Sequence, residues 1–207
     1  MRQYSNCLLD PSDAVMLLID EQPQMFFGVE NAPRCSIMNS VAGLAKTAKV
    51  FNVPCILTTV TAKTFAGSMY SKLLSIFPDV APIDRTNINA WEDPKVKQAV
   101  TDTGRKTLII AGLWTEACVT FPALSAIAED YTVYVVADAC GGASKTAHKM
   151  AMQRMIQAGV RPVTWEQVLL EFQRDWNNKD TYNAVMQIIK EHGGTYGIGV
   201  EYAEEFQ

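Results

Sequence analysis

Short apolar runs that alternate with segments of helical periodicity are the feature of this sequence that most constrains its fold. The first run, Ala14–Ile19, is apolar throughout and ends at two acidic residues, Asp20 and Glu21. Similar runs follow at 54–60, 107–112 and 132–137, with a weaker, proline-containing one at 161–164. An uninterrupted apolar run of this length predicts a strand that is buried on both faces.

Segments of helical periodicity separate these runs, at 36–51, 94–103, 115–130, 145–158, 166–176 and 181–192. Because parallel strands need long crossover connections, strands that alternate with helices predict one parallel sheet covered by helices on both sides. No repeat or flexible linker interrupts the pattern. We therefore expect one α/β domain over residues 1–207, with a doubly wound, Rossmann-like sheet.

Two stretches do not fit the alternation. Residues 61–89 are irregular apart from a short helical pattern at 69–77, and we expect a long loop region at the carboxyl edge of the sheet. Residues 193–207 have no periodic apolar face, although they include Tyr196, Tyr202 and Phe206. Aromatic side chains are poorly suited to a free end in water, so we interpret 193–207 as a C-terminal tail that contacts another subunit.

Composition argues against several classes of partner. Lys and Arg number 18 against 22 Asp and Glu, a net charge of −4 without a basic cluster, which disfavours nucleic-acid binding. No apolar stretch approaches the ~20 residues that span a bilayer, and residues 1–10 lack the pattern of a secretory signal. The five cysteines form no CxxC pair, and their odd number argues against a disulfide scaffold. We therefore expect a cytoplasmic protein without a membrane partner.

Ligands of open α/β sheets bind beyond the carboxyl ends of the strands, and this rule selects candidate residues. Burial at the end of the first run would raise the pKa of Asp20 toward a value useful for proton transfer, although a capping role is equally open. Cys118 lies near the start of the helix after 107–112, where free amides favour a thiolate, although a core thiol remains the plainer alternative. Arg85, taken alone, has the pattern of a solvated cation.

The other candidates have plainer interpretations. Asp138 is interpreted as a turn former, and Cys55 and Cys140 as core thiols. Cys7 and Cys35 have no inferred electropositive neighbour. None of these residues suggests a second site.

Missing motifs narrow the chemistry further. The sequence has neither G-x-G-x-x-G after the first run nor a P-loop, and it lacks the G-x-S-x-G elbow of α/β-hydrolases. The only histidines are His148, within a helical pattern, and His192, near the C-terminus, and both are interpreted as bystanders. Without clustered ligands we expect no metal and no cofactor.

Four ordered blocks resemble a known family over most of the chain. They are LLIDEQPQMF at 17–26, DRTNINAW at 84–91, LIIAGLWTEACVTFPALSAI at 108–127 and VYVVADACG at 133–141. They resemble the isochorismatase-like cysteine hydrolases, and within that family the YcaC-like subgroup. The resemblance implies the isochorismatase-like fold, which agrees with the alternation of strands and helices.

The resemblance also assigns roles to individual residues. It places Asp20 at the acid/base position, Arg85 at the basic position and Cys118 at the nucleophile position. It implies a non-proline cis peptide at Leu113–Trp114, which turns the Trp114 amide inward beside that of Cys118 as an oxyanion hole. Most characterised branches of the family have lysine at position 85, and the metal-binding histidines of nicotinamidase-like members are absent here.

These roles lead to a hydrolase hypothesis and to an alternative. The hypothesis is a cysteine hydrolase that cleaves a small amide-like C–N bond through a thioester, with Asn89 and Trp91 as pocket residues, although Asn89 would serve equally as a cap. The alternative is a catalytically degenerate, oligomeric ligand-binding or scaffold protein. The subgroup assembles as octamers of two stacked tetrameric rings, which implies a homo-octamer or tetramer here.

Two further expectations concern the proposed triad. Asp20, Arg85 and Cys118 should converge at the carboxyl edge of the sheet, although 65 and then 33 residues separate them in sequence. Cys118 should be the only cysteine with a thiolate population above that of a free thiol near pH 7, because of the helix start and Arg85.

Overall fold

A six-stranded parallel sheet forms the centre of the protein, whose computed structural model describes residues 8–206. Its strands are β1 (Ala14–Ile19), β2 (Cys55–Val60), β3 (Ile83–Arg85), β4 (Thr107–Leu113), β5 (Thr132–Gly141) and β6 (Arg161–Val163). They lie in the order β3-β2-β1-β4-β5-β6, and every neighbouring pair is parallel. The predicted doubly wound α/β fold is therefore confirmed.

Helices cover the sheet in two sets. They are α1 (Pro23–Phe27), α2 (Arg34–Val50), α3 (Ser71–Ile76), α4 (Pro94–Thr101), α5 (Thr120–Ala128), α6 (Lys145–Gln157), α7 (Trp165–Gln173), α8 (Lys179–His192) and α9 (Thr195–Glu205). One set packs α2 against α3, α7 and α8, and the other packs α5 against α6. Within residues 8–206, no helix combines the length and apolarity needed to cross a bilayer.

The strand order reverses at β1, which lies between β2 and β4. The chain fills one side of the sheet through β3 and then returns across β1 to begin β4. All six residues of β1 are buried, as their uninterrupted apolar character predicts. The crevice beyond the carboxyl ends of β1 and β4 is consequently the position where a sheet of this type binds ligands.

Three elements depart from the predicted pattern. The stretch predicted as loop contains β3, a three-residue edge strand that follows a proline and includes the exposed Asp84. Residues 23–27 form α1, a single short helix that begins with a proline. Most of the predicted irregular tail is α9, whose Gly197 lies so close to α8 that a Cβ there would be 2.5 Å from the Ile189 carbonyl oxygen.

Candidate active site

Asp20 lies where β1 ends, in the crevice at which the strand order reverses. Its backbone has φ 57°, a left-handed conformation that stops the strand, and its N–H donates to the Thr58 carbonyl at 2.9 Å. The side chain of Gln22 bridges two segments, since Oε1 accepts from the Val60 N–H at 2.9 Å and Nε2 donates to the Gly67 carbonyl at 2.6 Å. These bonds fix the turn that carries the Asp20 carboxylate.

Arg85 is the last residue of β3 and forms a buried ion pair with Asp20. Its Nη2 donates to the two Asp20 oxygens at 3.1 and 2.9 Å, and its Nη1 donates to the Asn87 carbonyl at 2.7 Å. Both charged side chains have 0% of their surface exposed. Arg85 is therefore not a solvated cation, and solvent screens its attraction to Asp20 very little.

Cys118 lies in a π-helical turn, Thr115–Val119, that joins β4 to α5. Strand β4 approaches β1 closely, which places this turn above the end of β1. The close approach requires glycine at position 112, because a Cβ there would be 2.2 Å from the Ile19 carbonyl oxygen. The Leu113–Trp114 peptide at the entry to the turn is cis. The turn differs from the regular helix start that the sequence pattern predicts.

The Cys118 thiol contacts Asp20 and the backbone of Trp114. The Asp20 carboxylate and the Trp114 backbone N–H both lie close enough to the thiol to change its pKa, which Asp20 raises and Trp114 lowers. Asp20 is thus shared by Arg85 on one side and Cys118 on the other. The structure brings together the three residues that the sequence analysis selected.

Burial and charge set the resting protonation states. Burial raises the pKa of Asp20 to about 6, and Arg85 limits this rise. Burial and the negative charge of Asp20 raise the pKa of the Cys118 thiol to about 12. At neutral pH the carboxylate is therefore charged and the thiol retains its proton, so the predicted enrichment of a resting thiolate is wrong: burial and Asp20 outweigh Arg85.

Glu21 is a buried acid, which the sequence pattern identifies only as a residue at the end of the first apolar run. Its side chain is 0% exposed, and neither carboxyl oxygen has a hydrogen-bond partner. Burial, together with the neighbouring Asp20, raises the pKa of Glu21 well above its ordinary value. Burial therefore favours the neutral, protonated form of Glu21 beside the charged Asp20.

The contacts of Asn89 and Trp91 are structural, and neither residue is part of the triad. The Asn89 Oδ1 accepts from the Trp91 N–H at 3.1 Å, and its Nδ2 donates to Glu92 and Ser125 at 3.0 Å each. Trp91 is 3% exposed and packs edge-on against Tyr131 at 5.1 Å between ring centroids. The capping alternative describes Asn89 correctly, and the contacts of these two residues give no support to a pocket role.

Other polar candidates also differ from their sequence interpretations. Asp138 lies inside β5, where its Oδ1 accepts from the Trp165 N–H at 2.9 Å and so supports the start of α7 instead of forming a turn. His148 is not remote from the Cys118 turn, because its Nδ1 lies 2.9 Å from the Thr115 hydroxyl oxygen. His192 binds Asn39 in the helical layer formed by α2 and α8.

The other cysteines are not part of the triad. Cys140 is buried in β5, Cys55 is partly buried in β2, and Cys35 is exposed. Cys7 lies outside the described residues. The thiols of Cys140, Cys55 and Cys35 form no disulfide.

The triad is nearly closed to solvent. Arg85 is 3% exposed and Cys118 is 5% exposed. A cavity of about 530 Å³ lies between α2, α3 and the end of α8, but its lining residues do not include the triad. Across residues 8–206 there is no group of three or more His, Cys, Asp or Glu side chains arranged to hold a metal ion.

Comparison with known proteins gives one consistent result. Residues 14–167 match the model of the isochorismatase domain. The chain is 43% identical over 171 residues to the probable hydrolase YcaC of Escherichia coli K12, with 82% of each chain covered.

Solved structures extend this similarity to three dimensions. A crystal structure of the Escherichia coli YcaC product, described as an octameric hydrolase of unknown specificity, superposes with a TM-score of 0.92 at 38% identity, covering 97% of this chain and 98% of that one. YcaC from Pseudomonas aeruginosa, solved with hexane-2,5-diol and covalent acrylamide, gives 0.91 at 36% identity, covering 95% and 97%. The chain therefore belongs to the isochorismatase family, as a hydrolase of its YcaC-like branch.

Proposed function

We propose that the protein hydrolyses a small amide-like C–N bond through a thioester on Cys118, with Asp20 as general base and acid and Arg85 as its cationic partner. The observation that carries the proposal is the position of Asp20, which interacts with the Cys118 thiol and is hydrogen-bonded to the Arg85 guanidinium. A nucleophile in contact with a base that a third group orients is the arrangement that covalent catalysis requires.

Acylation begins with attack of the Cys118 sulfur on the carbonyl carbon while Asp20 takes the thiol proton. Because the thiol has a higher pKa than Asp20, the proton moves as the S–C bond forms, and no free thiolate is stored. The carbonyl oxygen gains negative charge, which the backbone amides of Trp114 and Cys118 stabilise. Asp20 then returns the proton to nitrogen as the C–N bond breaks.

Deacylation uses the same groups in the opposite order. Asp20 accepts a proton from water as the water oxygen attacks the thioester carbonyl. The C–S bond breaks, the carboxylic acid leaves, and the sulfur recovers a proton from Asp20. Throughout, Arg85 stays cationic and keeps the pKa of Asp20 low enough for this residue to act as a base at neutral pH.

The small size of the substrate is supported by the closed triad and by one relative. Cys118 is 5% exposed, which leaves little room for a bulky group at the sulfur. The structure of YcaC from Pseudomonas aeruginosa contains covalent acrylamide, a small amide with an electrophilic carbon. We expect acrylamide to alkylate this protein at Cys118, with the sulfur adding to the alkene carbon and a proton adding to the adjacent carbon.

A panel of small amides, imides and hydroxamates tests the proposal. Wild-type protein should release ammonia or hydroxylamine from at least one compound, and Cys118→Ala should release neither. Mass spectrometry of the acid-quenched reaction should detect the acyl group on Cys118. If no compound turns over and Cys118 resists acrylamide, the scaffold alternative holds instead.

We propose further that the protein is a homo-oligomer, a tetramer or an octamer. Helix α9 and the residue after it expose four large apolar side chains, with Tyr196 41%, Ile198 65%, Tyr202 64% and Phe206 71% exposed. Burial against a second copy would remove this surface from water, and the Escherichia coli relative is described as octameric. Light scattering should give a multiple of four chains, and Tyr202→Glu should reduce the mass; a wild-type monomer would contradict the proposal.

A further inference from the structure

A hydrogen bond connects the turn of the nucleophile to a helix that contributes nothing else to the triad. The Thr115 Oγ1, on the first residue of the π-helical turn, lies 2.9 Å from the His148 Nδ1 in α6. Thr115 is completely buried, so its hydroxyl depends on protein atoms for a partner. His148 supplies that partner.

We propose that His148 is a positioning residue, which holds the Cys118 turn in its reactive geometry through Thr115. This inference rests on the proposed function, because it concerns the reactivity of Cys118. His148 touches neither the sulfur nor the Asp20 carboxylate in the contacts of the described residues. It acts through the residue that lies next to Trp114 and three residues before Cys118.

A second link ties the same turn to the same part of the fold. The Glu116 Oε1 accepts from the Ala143 N–H at 2.9 Å, in the loop between β5 and α6. At the neighbouring Gly142, a Cβ would be 2.8 Å from the Glu116 Oε2 and 3.2 Å from the His148 Cβ. Two consecutive turn residues, Thr115 and Glu116, are therefore anchored to a compact unit formed by this loop and the first turns of α6.

The anchoring determines where two reactive groups point. Trp114 precedes Thr115 and its backbone acts on the Cys118 sulfur, and Cys118 lies within the turn. The Thr115 carbonyl accepts from the hydroxyl of Thr120, the first residue of α5, at 2.5 Å. The link from Thr115 to α6 is therefore made by the Thr115 side chain. A displacement of about 1 Å in a reacting group lowers rates by about 100-fold.

Three substitutions at one position separate positioning from general stability. Asparagine places a polar atom close to the position of the imidazole Nδ1, glutamine places one close to Nε2, and leucine provides neither. We expect His148→Leu and His148→Gln to slow alkylation of Cys118 by acrylamide about 10- to 100-fold. His148→Asn should stay within about threefold of wild type, because it retains the atom that Thr115 binds.

The measurement is the saturation kinetics of acrylamide alkylation at Cys118, followed by intact mass. The loss should appear in the maximal rate rather than in the half-saturating acrylamide concentration, and the thermal midpoints of the Asn and Gln variants should agree. Thr115→Val should reproduce the loss and Thr115→Ser should not, which covers the case in which a His148 variant fails to fold.

The outcomes distinguish this inference from the proposed function, since alkylation does not require turnover. Equal rates for His148→Asn and His148→Gln, or a Leu variant as fast as wild type, overturn the positioning role even if the enzyme hydrolyses amides. The expected pattern supports positioning even if no amide of the panel is hydrolysed. A wild-type Cys118 that is inert to acrylamide overturns the positioning role, and it overturns the proposed function as well if no compound of the panel turns over.

Discussion

Two buried thiols lie at the carboxyl ends of neighbouring strands, and their surroundings differ. Cys118 follows β4, and Cys140 lies near the end of β5, where it is paired with Gly112 of β4. Burial raises the pKa of both thiols. Burial by itself therefore makes neither of them a nucleophile.

The difference between the two thiols is the acid beside each. Asp20 is charged at neutral pH and lies beside the Cys118 thiol, so it can accept the proton. The acids that act on Cys140 are Glu21 and Asp138, and burial raises the pKa of both, in Glu21 well above the ordinary value. Under the proposed mechanism, Cys118 reacts because a charged base lies beside it, and Arg85 keeps that base charged.

Removal of the nucleophile or its base should have the largest effect. We expect Cys118→Ala to abolish turnover and Asp20→Asn to lower kcat/KM by about 10²–10⁴-fold, since general base catalysis contributes that much. Initial rates on the best compound of the amide panel measure both. Cys35→Ala, at an exposed thiol, is the matched control and should retain wild-type rates; a comparable loss there would contradict the assignment.

Removal of Arg85 should be the next largest effect, on stability as well as on rate. Arg85→Met leaves the buried Asp20 without its cation, which should cost about 3–5 kcal/mol in the free energy of unfolding measured with urea. Arg85→Lys should recover part of this loss, because the charge remains while the second guanidinium donor, which binds the Asn87 carbonyl, is lost. The exposed pair Lys97–Glu129 is the control, and Lys97→Met should leave the urea midpoint nearly unchanged. Equal costs at the two sites would argue against a buried ion pair.

The pH dependence should separate Cys118 from the other thiols. Below pH 6 Asp20 is increasingly protonated and cannot accept the thiol proton, so alkylation of Cys118 should fall about tenfold from pH 7 to pH 5. Rates measured by peptide mapping after brief exposure to acrylamide give the midpoint. A Cys118 rate without a midpoint near pH 6, or a midpoint shared with the exposed Cys35, would remove Asp20 as the base.

The smallest effect should come from Glu21, the acid beside Asp20 that we expect to be neutral. Glu21→Gln replaces a protonated carboxyl by a neutral amide of similar shape, so the free energy of unfolding should change by no more than about 1 kcal/mol. The pH midpoint of Cys118 alkylation should also be retained. A midpoint that moves toward lower pH would mean that Glu21 is charged in the wild type, because loss of a negative neighbour lowers the pKa of Asp20.

Elements with strong local signals were predictable from the sequence. The apolar run Ala14–Ile19 has the same bounds as β1, because a strand buried on both faces favours apolar residues at every position. The edge strand β3 lacks this signal, since an edge strand of three residues includes an exposed Asp84. Helix α9 contains two glycines and gained its place by packing on α8, a tertiary contact that periodicity does not encode.

The fold class and the chemical types at the strand ends follow from the sequence alone, because apolar runs, helical periods and family motifs are local properties of the chain. Packing in three dimensions establishes that Arg85 pairs with Asp20 in the interior, that the Cys118 thiol rests protonated, and that His148 contacts the Cys118 turn. Each of these depends on distance and burial, which set the strength of a charge interaction and are established only when separate segments of the chain pack together.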